Sequence, residues 1–148
     1  MSMKPFTVFP ESRPRALNVL GEQITILASK EATHGYEVFF QDGPDGSGPP
    51  PHSHPWDEAF YVIRGDIEVG MDEKSMTTKP GTLVHLPAGT IHWFRFGKGG
   101  GQMISMIGEG SRASTLFTDI DAEIPVGPPD IEKLQNIAKR IGVRVFVD

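Results

Sequence analysis

Hydrophobic residues along the chain form short alternating runs, which is the pattern of β-strands. The runs are rich in β-branched and aromatic residues, and glycines and prolines separate them. Seven runs predict strands: Ile24–Ala28, Gly35–Gln41, Glu58–Arg64, Asp66–Met71, Thr82–Leu86, Ile91–Phe96 and Gln102–Ile107. Short strands at such regular spacing favour an all-β sandwich or barrel.

The end of the chain has helical rather than alternating periodicity. Asp130 suits an N-cap, and Gly142 suits the position after the last turn. At helical spacing, one face is apolar and comprises Ile131, Leu134, Ile137, Ala138 and Ile141. This pattern predicts one amphipathic helix over about 130–141, packed on the outside of the barrel, and then a short strand at Val143–Val147.

Length and composition narrow the class of protein. The 148 residues suit one domain, and we expect a single domain over 1–148 because neither a repeat nor an interdomain linker interrupts the pattern. Cysteine is absent, so disulfides and thiolate sites are excluded. A net charge of −5 argues against nucleic-acid binding, and no apolar stretch is long enough for a membrane helix or a secretion signal. We therefore expect a cytoplasmic protein.

A cluster of histidines and one glutamate indicates metal chemistry. His52 and His54 are two residues apart, so on a strand both rings point to the same face, and Glu58 has the same parity. His92 is expected to reach the ion from the far side of the sheet. Three imidazoles and a carboxylate suit one divalent first-row metal ion, namely Fe, Mn, Ni, Co, Cu or Zn, better than magnesium or calcium.

Nine positions around these ligands match a known pattern. The first motif comprises Gly46, His52, His54, Glu58 and Gly65, and the second comprises Gly81, Pro87, Gly89 and His92. At this spacing, over 46–65 and 81–96, the chain resembles the cupin superfamily, and among its members the small bacterial quercetinase-like (cupin 2) proteins. Phe96 departs from the family pattern, which usually has asparagine there.

The resemblance implies a double-stranded β-helix, or jelly-roll, barrel that pairs as a homodimer. Trp93 and Arg95 have outward parity and suit that interface, although they would also fit beneath the C-terminal helix. His85 is expected to face the partner subunit or to lie behind the metal. His34 is expected at the surface.

Aromatic residues near the metal motif are candidates for binding a substrate. They are Trp56, Phe60, Phe94 and Phe96. These residues could instead simply fill the barrel, and for Phe60 this is the favoured interpretation. Phe96, in place of a polar residue, favours an apolar or aromatic ligand.

Three functions fit the predicted site. The leading hypothesis, from the resemblance, is a dioxygenase acting on a small aromatic or enediol-type substrate, with Glu58 as ligand and catalytic base. The second is a non-oxidative isomerase, epimerase or decarboxylase, although no obvious Lys or Arg clamp for a phosphate is present. The third is a non-catalytic protein that binds a small molecule.

Overall fold

The computed structural model describes residues 4–147 and is built mainly of two antiparallel β-sheets that face each other. The described residues form eleven strands: β1 Leu17–Val19, β2 Glu22–Ala28, β3 Glu37–Gly43, β4 His52–Ser53, β5 Glu58–Arg64, β6 Ile67–Met71, β7 Lys74–Thr78, β8 Leu83–Leu86, β9 His92–Phe96, β10 Gly101–Ile107 and β11 Arg144–Val145. The first sheet has the order β1-β2-β3-β10-β5-β8, and the second has the order β11-β4-β9-β6-β7.

All seven predicted strands are present, with ends that differ by at most two residues from the predicted ones. The sequence pattern missed β1, β4 and β7. In β7, four of the five residues are exposed, so the strand carries no run of buried positions to mark it. The strand expected at Val143–Val147 is shorter and comprises only β11.

The helices differ from the expectation in number. Two helices of ten or more residues follow β10, where the sequence predicted one: α2 spans Ala113–Glu123 and α3 spans Ile131–Arg140. A single-turn helix, α1, spans Lys30–Thr33, and a 3-10 turn spans Pro10–Ser12.

Helix α3 begins and ends as its sequence predicts. The Asp130 side chain accepts a hydrogen bond from the Lys133 backbone N–H at 3.1 Å. At the other end, Gly142 has a φ of 84°, and the Val143 N–H donates to the Ala138 carbonyl at 3.0 Å. Glycine adopts this left-handed backbone conformation with little strain, because it has no Cβ. The helix therefore stops at this residue.

Helix α3 packs its apolar face together with α2, which the sequence did not predict. Helices α2 and α3 share a core cluster with inward-facing residues of the first sheet, among them Ile24, Phe39 and Ile107. The two helices therefore cover an end of the space between the sheets. We call this end the helix end.

The opposite end of the interior is filled by strand residues alone. Its cluster joins both sheets and comprises Phe60, Val62, Ile67, Val69, Val84, Leu86, Phe94, Phe96 and Met103. We call it the closed end. No helix within the described residues has both the length and the apolar character needed to cross a membrane.

Candidate metal centre

His52, His54 and His92 converge on the inner side of the second sheet. His52 on β4 lies directly opposite His92 on β9, and their ring centroids are 4.2 Å apart. His54 follows β4, and its ring lies 5.0 Å from that of His92. One ligand atom from each histidine falls within 4.8 Å of the other two, so this cluster could hold a metal ion.

Glu58, not His92, is the residue that reaches the cluster from the facing sheet. The sequence pattern placed His92 on the far side, but β4 and β9 are neighbours in one sheet. Glu58 begins β5 in the other sheet, and its Oε1 lies 3.1 Å from His54 Nε2 and 3.2 Å from His92 Nε2. The four side chains therefore bridge the two sheets.

A glycine allows the loop before β4 to deliver His52. Gly48 has a φ of 147°, and a Cβ at this position would overlap the carbonyl oxygen of Phe94. The loop can thus lie against β9. Arg95 holds the same loop, because its Nη1 donates to the carbonyl oxygens of Pro49 at 2.7 Å and Phe94 at 2.8 Å.

All three imidazoles are oriented by backbone carbonyls. Nδ1 of His52, His54 and His92 lies 2.9 Å from the carbonyl oxygens of Pro50, Trp56 and Thr90, respectively. A carbonyl oxygen only accepts, so each Nδ1 carries the hydrogen. In the neutral rings the Nε2 lone pairs are then free to bind a metal, which is the usual role of such outer hydrogen bonds.

The inner atoms of the cluster need a positive charge between them. A neutral Nε2 and a carboxylate oxygen are both acceptors, and two acceptors about 3 Å apart repel each other unless a proton or a metal cation joins them. His92 Nε2 is buried and makes no hydrogen bond, although Glu58 Oε1 is near. This unsatisfied atom, with the orientation of the three rings, fits a metal-binding site.

Three groups of the cluster have pKa values that the surrounding protein shifts. Burial, with the nearby positive charge of His92, lowers the pKa of His52 to about 3, so this ring is neutral. Burial opposes ionisation of Glu58, but the hydrogen bond with His54 and the nearby His92 outweigh it and lower the pKa of Glu58. Burial also disfavours the charged form of His92, yet Glu58 raises the pKa of His92 overall.

A cavity adjoins the cluster on the helix end. It has a volume of about 80 Å³ and is partly open to solvent. Besides His52, His54 and Glu58, its walls are mainly apolar side chains of strands and of α2 and α3. Those from the helices are Ala113, Leu116, Phe117, Ile120, Leu134 and Ala138.

The four predicted aromatic residues separate into two pairs. Trp56 and Phe94 line the cavity, and the Trp56 ring stacks on His54 at 4.7 Å with an interplanar angle of 10°. Phe60 and Phe96 do not line it and are buried at the closed end, whereas Phe94 belongs to the closed-end cluster and also borders the cavity. The ring of Phe96 fills the space above Gly43, where any Cβ would overlap it, so this side chain points away from the cavity.

The remaining residues singled out in the sequence lie outside the cavity. His85 is exposed on the outer face of β8, so it does not lie behind the metal cluster, and His34 is exposed after α1. Trp93 covers Gly70 of the neighbouring strand, where a Cβ would overlap its ring. The homodimer remains a prediction.

Sequence reasoning missed two buried polar residues of the cavity wall, Glu22 and Gln41. A signal was present, because Glu22 has the parity of the apolar Ile24, and Gln41 has the parity of Phe39. Polar residues on the inward face of a strand are candidates for function. The apolar helix wall was also missed, since α2 was not predicted.

Comparison with known proteins finds a match between the central part of the chain and a family model. A family model described as Cupin domain matches residues 38–104, which include the three histidines and Glu58. Quercetin 2,3-dioxygenase of Bacillus subtilis (strain 168) is 32% identical over 78 residues, which are 51% of this chain. The match spans only 23% of the length of that relative.

Solved structures show the same fold at low sequence identity. KdgF from Halomonas sp. has a TM-score of 0.68 and 19% identity, with 75% of this chain and 99% of that chain covered. An RmlC-like cupin from Shewanella frigidimarina NCIMB 400 has a TM-score of 0.67 and 18% identity, with 78% and 99% covered. The polyketide cyclase RemF from Streptomyces resistomycificus has a TM-score of 0.61 and 16% identity, with 72% and 80% covered. These likenesses establish the fold alone.

Proposed function

We propose that this chain, which carries a cupin domain over residues 38–104, is a metal-dependent dioxygenase. Its substrate would be small and largely apolar, with adjacent oxygen atoms of the enediol type. The observation that carries the proposal is the convergence of the Nε2 atoms of three histidines and Glu58 Oε1 beside a cavity with apolar walls. The similarity to the Bacillus subtilis dioxygenase supports the oxygenase class.

The metal would be held by Nε2 of His52, His54 and His92 and by Oε1 of Glu58. Nitrogen and oxygen donors in this ratio suit a first-row divalent ion. When bound, the ion would supply Lewis acidity, which lowers the pKa of a substrate hydroxyl. Because the Nδ1–H groups are fixed by carbonyls, the rings need no rearrangement to bind it.

Glu58 is the residue that would take the substrate proton. Its carboxylate is ionised, and its Oε1 lies at the boundary between the histidines and the cavity. The hydroxyl proton would pass to the other oxygen of this carboxylate, Oε2, which does not hold the metal. The substrate would be left as an electron-rich enediolate, the form that is most easily oxidised.

The cavity wall would hold the apolar body of the substrate and exclude water. Trp56, Phe94 and Phe117 offer aromatic surfaces, which suit a planar ring. Among the described residues that line the cavity, none is Lys or Arg, so a phosphorylated sugar is disfavoured.

Oxygen uptake with quercetin as the probe tests this proposal. Protein loaded separately with each candidate metal should consume oxygen in step with loss of quercetin, and Glu58→Ala should abolish uptake. Glu68→Gln, on the exposed side of β6, serves as the matched control and should leave the rate unchanged. Equal turnover under strict anaerobiosis would contradict the proposal and favour a non-oxidative isomerase or decarboxylase. Failure of fully loaded protein to consume oxygen with any enediol would also contradict it.

A further inference from the structure

Glu22 is a buried carboxyl group on the cavity wall that the metal centre does not use. It lies on β2, is 2% exposed and lines the same cavity as His52 and His54. Among the described residues, no Lys, Arg or His forms an ion pair with it. A buried carboxyl without a counter-ion is costly when ionised, so its presence in an apolar wall calls for an explanation.

A chain of hydrogen bonds orients Glu22. Ser105 on β10 donates its hydroxyl hydrogen to the side-chain oxygen of Gln41 on β3. The Gln41 amide therefore turns its nitrogen towards Glu22, and Nε2 donates to Glu22 Oε1 at 2.9 Å. All three side chains are at most 3% exposed. One oxygen of Glu22 is thus fixed as an acceptor, and the other is free to carry a proton.

The surroundings of Glu22 favour the neutral acid. Burial, the largest influence, and the negative charge of Glu58 raise its pKa, whereas the Gln41 hydrogen bond and the charge of Arg95 lower it; the net value is about 8. A protonated carboxyl has one O–H to donate. At neutral pH the wall therefore presents a hydrogen-bond donor to the cavity.

Trp56 contributes a second unused donor to the same wall. Its Nε1–H is buried and has no hydrogen-bond partner among the described residues. Buried donors without partners are rare in folded proteins, and each costs stability. Two such groups along one cavity indicate that a bound molecule with oxygen acceptors satisfies them.

We propose that Glu22 is a specificity-determining residue whose carboxyl group donates a hydrogen bond to a ligand oxygen other than those at the metal centre. The matching ligand is an apolar molecule with a carbonyl, ether or hydroxyl oxygen on the part that contacts β2. This inference shares one premise with the proposed function, namely that a ligand binds in this cavity, and it rests on the proposed function in no other respect.

Two small isosteric probes test the inference on metal-free protein. Acetophenone carries a carbonyl oxygen, and α-methylstyrene replaces it with a CH₂ group of similar shape. The wild type should bind acetophenone about tenfold more tightly than a variant that lacks the Glu22 donor. The dissociation constant of α-methylstyrene should be the same for both proteins. Dissociation constants from NMR titration measure this, and the C=O stretch of bound acetophenone reports the hydrogen bond directly.

Variants separate a hydrogen-bonding role from a structural one. Glu22→Leu should remove the preference for the carbonyl probe and retain binding of α-methylstyrene, whereas Glu22→Gln, whose amide still donates, should keep the preference within about threefold. Gln23→Leu, exposed on the other face of β2, is the matched control and should resemble the wild type.

Three results would overturn the inference: a wild type that binds neither probe, a wild type that binds both equally, or a preference that survives in Glu22→Leu. None of these outcomes depends on metal or oxygen. A failure of dioxygenase activity alone would leave the assignment of Glu22 standing.

Discussion

The closed end of the interior and the helix end enclose different kinds of space. At the closed end, side chains from both sheets fill the volume, and Val62, Ile67 and Val69 are fully buried. At the helix end, α2 and α3 complete the enclosure and leave a cavity beside the metal cluster. Where strands alone meet, alternating side chains interlock; where helices cover the opening, room for a ligand remains.

Because of this contrast, we expect substitutions at the two ends to have different effects. Substitutions at the closed end should reduce the free energy of unfolding and leave metal binding by the folded protein intact. Substitutions at the helix end should change ligand binding more than stability. The following predictions test that separation, beginning with the largest effect.

Phe96→Ala should be the most destabilising of these changes. Its ring is 1% exposed, and loss of a buried phenylalanine ring costs about 3–5 kcal/mol. Phe117→Ala is the matched change at the helix end, where the ring is only partly buried, lines the cavity and meets Phe39 edge-on at 5.0 Å. We expect it to cost at least about 1 kcal/mol less.

Urea unfolding of both variants measures the difference, and elemental analysis of the folded protein checks the metal site. Equal losses at the two ends would contradict the contrast. So would loss of metal from folded Phe96→Ala, since this side chain lies outside the cluster.

Glu22 should make stability depend on pH in a defined direction. Its pKa is raised from 4.5 to about 8 in the folded protein. Between these values only the folded state holds the proton, so the free energy of unfolding should fall as pH rises, by up to about 1.4 kcal/mol per pH unit. Glu22→Gln removes this dependence and should therefore be more stable than the wild type at pH 8, with the advantage vanishing towards pH 4.5.

Chemical unfolding at several pH values measures this effect. Glu68→Gln, whose side chain is exposed, should run parallel to the wild type throughout. A constant offset between Glu22→Gln and the wild type would show that Glu22 does not change protonation on folding.

Ser111→Ala should loosen the helix end with a smaller loss. The Ser111 hydroxyl donates to Glu37 Oε1 at 2.6 Å, and the same oxygen accepts from the Ser114 N–H at 3.1 Å at the start of α2. Loss of this buried hydrogen bond should cost about 1–2 kcal/mol. Hydrogen exchange of the α2 amides should accelerate relative to those of β5, whereas uniform protection would contradict the anchoring role. Ser75→Ala, on the exposed strand β7, is the control.

The sequence predicts the closed end better than the helix end. Phe94 and Phe96 flank the charged Arg95, so their strand and its inward face can be inferred without a structure. Helix α2 lacks such a marker at its start, because Arg112 in the N-cap position makes no capping hydrogen bond. The apolar spacing of Leu116, Ile120 and Ile124 was still present in the sequence and would have supported a helix.

The candidate site, too, could be predicted from the sequence only in part. The residues of the two motifs are close in the sequence, and the structure brings His52, His54, His92 and Glu58 together. Their arrangement across two sheets depended on strand order, which alternation does not reveal. The position of Glu22 beside Gln41 depends on the register of β2 against β3. No local sequence pattern predicts that register.

The most direct test of the metal centre is elemental analysis of the purified protein by plasma mass spectrometry. The wild type, after reconstitution with a first-row metal, should contain about one equivalent per chain, while folded His92→Ala should contain almost none. Exposed His85→Ala serves as the control and should retain the metal of the wild type. A wild type that binds no metal, or a His92→Ala variant that binds a full equivalent, would contradict the account.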